Sequence, residues 1–165
     1  MTVTCQKQRP MDPAFHLMPE DQMERVFSQD MCDIDCEFLG FTKVYMALAS
    51  IIPLHWTVID LGCAYAPQAF IFQNHKAYIG VDGSPCERFT APNTTHYECS
   101  AGKFIRNHAH EFDKEQTFAI CSYVPNWFAE NAIELTRQNF KNVFTFYPSG
   151  ERQIVLGRAA LRERE

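Results

Sequence analysis

The chain has 165 residues, of which 46% are hydrophobic, and a formal net charge of -5 at neutral pH. That length makes one domain with room for a core, and 14 Phe make the core aromatic. The acidic balance gives no strong nucleic-acid signal, no apolar run reaches the length of a membrane span, and the polar start MTVTCQKQRP lacks the regions of a signal peptide, so a cytoplasmic protein is expected.

Residues 1 to 17 show little periodicity and are expected to be irregular. The stretch PEDQMERVFSQ (19 to 29) opens with Pro and acids and places Met23, Val26 and Phe27 on one face, which predicts a short helix. Residues 1 to 40 are therefore expected to form an N-terminal helical extension that covers the domain at 41 to 165. That domain starts with a stronger helix, FTKVYMALASIIP (41 to 53), in which Phe41, Val44, Tyr45, Leu48 and Ile52 share a stripe and Pro53 is the stop. The β-branched run WTVIDLG follows and reads as a buried strand.

From there strands and helices alternate. A helix is expected from Pro67 to about Gln73, a strand over 77 to 82, an irregular segment holding Pro85 and Pro92, and a strand over 95 to 100. A helix over 101 to 112, a strand over 117 to 124, a helix over 127 to 140 and a strand over 142 to 147 come next. The turn PSGERQ then leads into 153 to 157, expected to pair antiparallel as a C-terminal hairpin strand. This alternation predicts an α/β fold, a mostly parallel sheet covered on both faces in a doubly wound, Rossmann-like arrangement.

In such sheets ligands sit at the C-terminal ends of the strands, where the strand order reverses. The informative residues are those that end each strand: Asp60-Leu61-Gly62, Asp82-Gly83, Cys99-Ser100-Ala101 and Ser122-Tyr123. A carboxylate at Asp82 can accept hydrogen bonds from ribose hydroxyls. Gly62 permits a tight turn, and Pro67 suits the first turn of the following helix. A nicotinamide fingerprint would need G-x-G-x-x-G, whereas 62 to 67 reads Gly-Cys-Ala-Tyr-Ala-Pro.

The stretches VIDLGCAYAP and YIGVD resemble the first two motifs of the class I S-adenosylmethionine-dependent methyltransferases, over about residues 41 to 148. The resemblance implies a three-layer Rossmann-like methyltransferase sandwich with S-adenosylmethionine as cofactor. It implies that Asp60 lies beneath the loop, near the methionine end of the cofactor. Gly62, Cys63, Ala64 and Tyr65 would wall the loop, and Asp82 and Gly83 would meet the ribose. Ser100 and Ala101 would stand where the family often reaches the adenine with an acid. Ser122 and Tyr123 would face the transferable methyl, which makes Tyr123 the catalytic candidate by place. Ala64 and Ala66 stand at two positions where the family commonly has glycine.

Two functions follow. One is a methyltransferase passing the sulfonium methyl to an acceptor that no residue names. The other is a methyltransferase-like binding or assembly module without catalysis, which the two alanines, Ser100 and the short C-terminus favour. No metal site is expected: Cys32 and Cys36 lack a second ligand pair, and His108 and His110 lie two apart on a helix and face different ways. The seven Cys are expected to be mostly reduced. Neither a partner nor an oligomeric state is indicated.

Overall fold

A computed structural model of the chain describes residues 17–28, 34–122, 131–146 and 152–155. Two N-terminal helices, α1 (Glu20–Phe27) and α2 (Ile34–Ile51), precede the sheet. The strands are β1 (Thr57–Leu61), β2 (Ala77–Asp82), β3 (Thr94–Glu98), β4 (Thr117–Ser122), β5 (Asn142–Phe146) and β6 (Arg152–Val155). Helices α3 (Ala101–His108) and α4 (Ala132–Asn139) provide two of the crossovers.

The strand order is β3-β2-β1-β4-β5-β6. The first five strands in that order pair in parallel, with Asp60 beside Gly80 on one side and Ile120 on the other. β6 runs antiparallel to β5, with Phe144 opposite Ile154. The chain moves from β1 out to β3 and then crosses to β4 on the opposite side of β1. The order therefore reverses between β1 and β4, the place where doubly wound sheets bind ligands.

β1 is buried along its whole length, as a central parallel strand must be. Its side chains alternate between two cores. Val58 joins Tyr45, Leu48, Phe72, Tyr78 and Phe118 on one face, beneath α1 and α2. Ile59 and Leu61 join Val81, Phe104, Ala119 and Ile133 on the other, beneath α3 and α4. Phe72 stacks on Tyr78 at 5.8 Å between ring centroids and meets Tyr45 edge-on at 6.1 Å. These contacts fasten α2 and the stretch after β1 to the sheet.

Four expectations change. The helix expected over 41 to 53 spans Ile34–Ile51. The helix expected from Pro67 is a single 3₁₀ turn, Pro67–Phe70, whose four residues are all buried. It is entered through Ala66 in the left-handed region and is held by short-span bonds such as Ala69 N–H to Ala66 O at 3.0 Å. The strand expected over 95 to 100 ends at Glu98, because Ser100 is drawn into capping α3. The helix expected to run to residue 112 ends at His108 and tightens into a 3₁₀ turn, Ala109–Glu111. Tyr123 and Cys32 lie outside the described residues. Among those described, no helix is long and apolar enough to cross a membrane.

Gly80 is a point of close approach. A Cβ placed on it would lie 2.4 Å from His96 Nδ1 and 3.0 Å from Cys63 Sγ. Gly80→Ala should therefore destabilise the domain by about 1–3 kcal/mol through overpacking. The cost should shrink in a His96→Ala background, as denaturant midpoints of the two singles and the double variant will show.

Candidate functional site

β1 ends in a carboxylate with no solvent exposure. Asp60 is fully buried on the α2 face of the sheet, and three side chains donate to it. Tyr78 Oη–H reaches Oδ2 at 2.6 Å, Gln68 Nε2–H reaches the same oxygen at 2.7 Å, and Tyr45 Oη–H reaches Oδ1 at 3.4 Å. Gln68 also donates to Cys63 O at 3.1 Å, which ties the 3₁₀ turn to the loop before it. Burial pushes the Asp60 carboxyl up to about 6; the bonds from Tyr78, Gln68 and Tyr45 oppose this, and nearby Asp82 adds slightly to it.

After β1 the backbone takes an unusual course. Gly62, Ala64 and Ala66 all have positive φ, at 82°, 48° and 55°. Alternate residues thus occupy the left-handed region, which costs a residue with a Cβ roughly 1–2 kcal/mol. The turn is pinned at its start by Gly62 N–H and Cys63 N–H, both donating to Val81 O at 2.7 and 3.1 Å. Cys63 is buried, and desolvation holds its thiol well above the ordinary range, so it is a packing residue rather than a nucleophile.

Asp82 closes β2 and faces this loop. Its Oδ2 accepts from Ala64 N–H at 2.9 Å, and its Oδ1 accepts from Ser84 N–H at 2.8 Å. A residue that sequence reasoning missed completes the arrangement. Arg88 Nε–H donates to Ala64 O at 3.1 Å, while its Nη groups donate to Cys86 O at 3.2 Å, Asp82 O at 3.4 Å and Ser84 O. Its guanidinium also lies 3.8 Å from Asp82 Oδ1 and 3.5 Å from Glu98 Oε2. The Arg88 side chain is only 6% exposed and that of Asp82 16%. The stretch after β2 thus folds across the mouth of the loop, and Phe89 N–H adds a bond to Tyr65 O at 2.8 Å.

The remaining candidates spread along the strand ends. Gly83 is exposed, and a Cβ there would meet only ordinary contacts near Cys99 and Ser100. Ser100 is the N-cap of α3, its hydroxyl accepting from Lys103 N–H at 3.2 Å, and Ala101 is the first residue of that helix. Ser122 ends β4. Tyr123, expected to face the transferred group, lies outside the described residues. Asp60, Gly62, Cys63, Ala64, Tyr65 and Asp82 come together as one unit. Asp60 forms its floor. His108 bonds Glu111 at 2.9 Å and stacks against Phe104, a structural role. Among the described residues no group of three His, Cys, Asp or Glu could hold a metal ion.

No family model and no curated protein matches the chain. Solved structures resemble it in part. A protein from Anaeromyxobacter dehalogenans, provisionally described as a type II methyltransferase, is 16% identical over 64% of this chain, with a TM-score of 0.44; this chain spans 47% of its length. A Streptococcus mutans protein, also provisionally described as a methyltransferase and solved with S-adenosylhomocysteine, is 13% identical over 62% of this chain and 70% of its own, with a TM-score of 0.44. An rRNA methylase from Streptococcus thermophilus is 13% identical over 76% of this chain and 79% of its own, with a TM-score of 0.42. Similarity at that level fixes neither family nor activity.

Two measurements test the local physics. Ala64 is exposed and Ala66 is fully buried. Relief of the left-handed strain, less the entropy glycine loses on folding, should make Ala64→Gly more stable by about 0.5–1 kcal/mol. At Ala66 the lost methyl burial, about 0.8 kcal/mol, should cancel the same gain. Thermal midpoints of the two variants separate the cases.

Asp60 should also impose a pH dependence. Its folded pKa lies above the unfolded value of 3.8. The stability it contributes is full below about pH 4 and is lost as pH rises through about 6. The loss is about 3 kcal/mol, to order of magnitude. Denaturant titrations of the parent and of Asp60→Asn between pH 4 and 7 should show this decline in the parent alone.

Proposed function

We propose that the protein binds S-adenosylmethionine in the crevice where β1 and β4 diverge and acts as a methyltransferase. The observation that carries this reading is the loop at residues 62 to 66. It keeps a left-handed backbone at three alternate positions although two of them are alanine, and its middle N–H is held by the carboxylate that ends β2. A chain has little reason to keep that strain unless close backbone approach to something is useful.

The residues suit the cofactor in kind. A carboxylate has about four acceptor sites, and Asp82 gives one to Ala64 N–H and one to Ser84 N–H. The remaining capacity, now facing Arg88, matches a pair of ribose hydroxyls. The loop from Gly62 to Tyr65 would line the rest of the cofactor's path. The cofactor itself supplies an activated methyl group on sulfur. The protein's part is then to orient it and keep water away, which needs little acid–base chemistry.

A second reading has its own support. Both the N–H and the C=O of Ala64 are engaged within the chain, by Asp82 and Arg88, so the crevice is closed by the protein's own groups. Under that reading the domain is a non-catalytic, methyltransferase-like module.

Calorimetric titration with S-adenosylmethionine, S-adenosylhomocysteine and NAD decides between them. The cofactor reading expects both adenosyl sulfur compounds to bind and NAD not to. It also expects Asp82→Ala to weaken S-adenosylhomocysteine by about 1.5–3 kcal/mol, the range for hydrogen bonds to a charged group. Because Asp82 also holds Ala64 and Ser84, the same variant should lose stability. If the adenosyl compounds do not bind, even once Arg88 is replaced by Ala, the module reading stands.

A further inference from the structure

The connection from β2 to β3 holds neither an α-helix nor a 3₁₀ turn. Residues 83–91 instead run as a bare strap over the loop after β1. Its outer residues Ser84, Pro85, Glu87 and Thr90 are exposed, while the Phe89 ring is buried edge-on to Phe70 and its carbonyl bonds His96 Nε2 at 2.8 Å; three further points hold the strap over the loop. One is Arg88, whose guanidinium forks across Ala64 O, Cys86 O, Asp82 O and Ser84 O. Another is the bond from Phe89 N–H to Tyr65 O. A third comes from outside the sheet. Gln22 on α1 grips the backbone of Thr90 in both directions, donating to Thr90 O at 2.9 Å and accepting from Thr90 N–H at 2.8 Å.

We propose that this strap is an autoinhibitory latch: Arg88 occupies the place of an adenosyl ligand at Asp82, and Gln22 on α1 holds the strap closed. The inference rests on the cofactor reading above and concerns the regulation of that same site. The guanidinium stands 3.8 Å from Asp82 Oδ1, on the side that a ribose would use, and it bonds the carbonyl of Ala64 at the loop's tip. A ligand can reach Asp82 only after Arg88 withdraws. Its apparent affinity is then its intrinsic affinity multiplied by the fraction of molecules in which the strap is open. Gln22 is a positioning residue. Its clamp is on the backbone two residues beyond Arg88, and it acts by setting that fraction. The N-terminal helix becomes the handle through which whatever displaces it controls access to the crevice.

The test is calorimetric titration of S-adenosylhomocysteine into the full-length parent, Arg88→Ala, Arg88→Lys and Gln22→Ala, alongside amide hydrogen exchange without the probe. The latch predicts faster exchange at Phe89 and Thr90 in all three variants. It predicts tighter binding by roughly tenfold in Arg88→Ala, and a rise in the same direction in Gln22→Ala. Arg88→Lys keeps the charge but cannot fork across several carbonyls, so it should behave like Arg88→Ala and serves in its place if that variant does not fold. Faster exchange with unchanged or weaker binding overturns the latch but leaves the cofactor reading intact. Unchanged exchange in the variants also overturns it. Absence of binding in every protein while exchange accelerates overturns the cofactor reading, and the latch falls with it.

Discussion

The buried carboxylate of Asp60 organises the molecule. An ionisable group with no solvent exposure in an aromatic core is tolerable only when its oxygens are satisfied, and each partner here comes from a different element. Tyr45 comes from α2, Gln68 from the 3₁₀ turn and Tyr78 from β2. To satisfy Asp60 is to fix where those elements stand relative to β1. The rings of Tyr45, Phe72 and Tyr78 then fill the space between them. Remove the acceptor and two tyrosine hydroxyls are left in the same apolar layer, so the network must form together or not at all.

Above that floor the loop and the strap form a second polar cluster built on opposite terms. Asp60 collects side-chain donors. Asp82 collects backbone N–H groups, and Arg88 collects carbonyls. Hydrogen bonds to main chain constrain geometry without demanding particular neighbours. This explains how Ala64 and Ala66 can hold a course that suits glycine. The surrounding contacts outweigh the strain at each position.

Much of this was legible in the sequence. A β-branched run ending in Asp60-Leu61-Gly62 marks a strand end, and the β2 boundaries follow from AYIGVD between turn residues. The α/β class and the mainly parallel sheet follow from the alternation of elements. Other features were not legible, for definite reasons. Pro67 and the apolar residues after it fit an α-helix by period, but the left-handed entry at Ala66 leaves room only for a tight turn. Tyr45 lies on the apolar stripe of α2 and reads as plain core; only a buried acid across the layer gives its hydroxyl a purpose. Arg88 sits in an aperiodic segment between two prolines, where patterning is silent. The one available signal was an arginine six positions after a strand-end aspartate, in a stretch unable to form a helix.

The strand order has a consequence for how the chain is made. β1 takes its place between β2 and β4, in register with both, yet Thr57 meets Thr117 only after β2, β3 and α3 have been synthesised. Until β4 leaves the ribosome, β1 presents an apolar edge with unpaired backbone groups. Pairings so distant in sequence form slowly, and a half-made sheet of this kind associates readily with other chains. The edge of β1 that receives β4 therefore stays uncovered until residue 122 has been made. Truncated products that end before Ser122 should be sticky rather than inert.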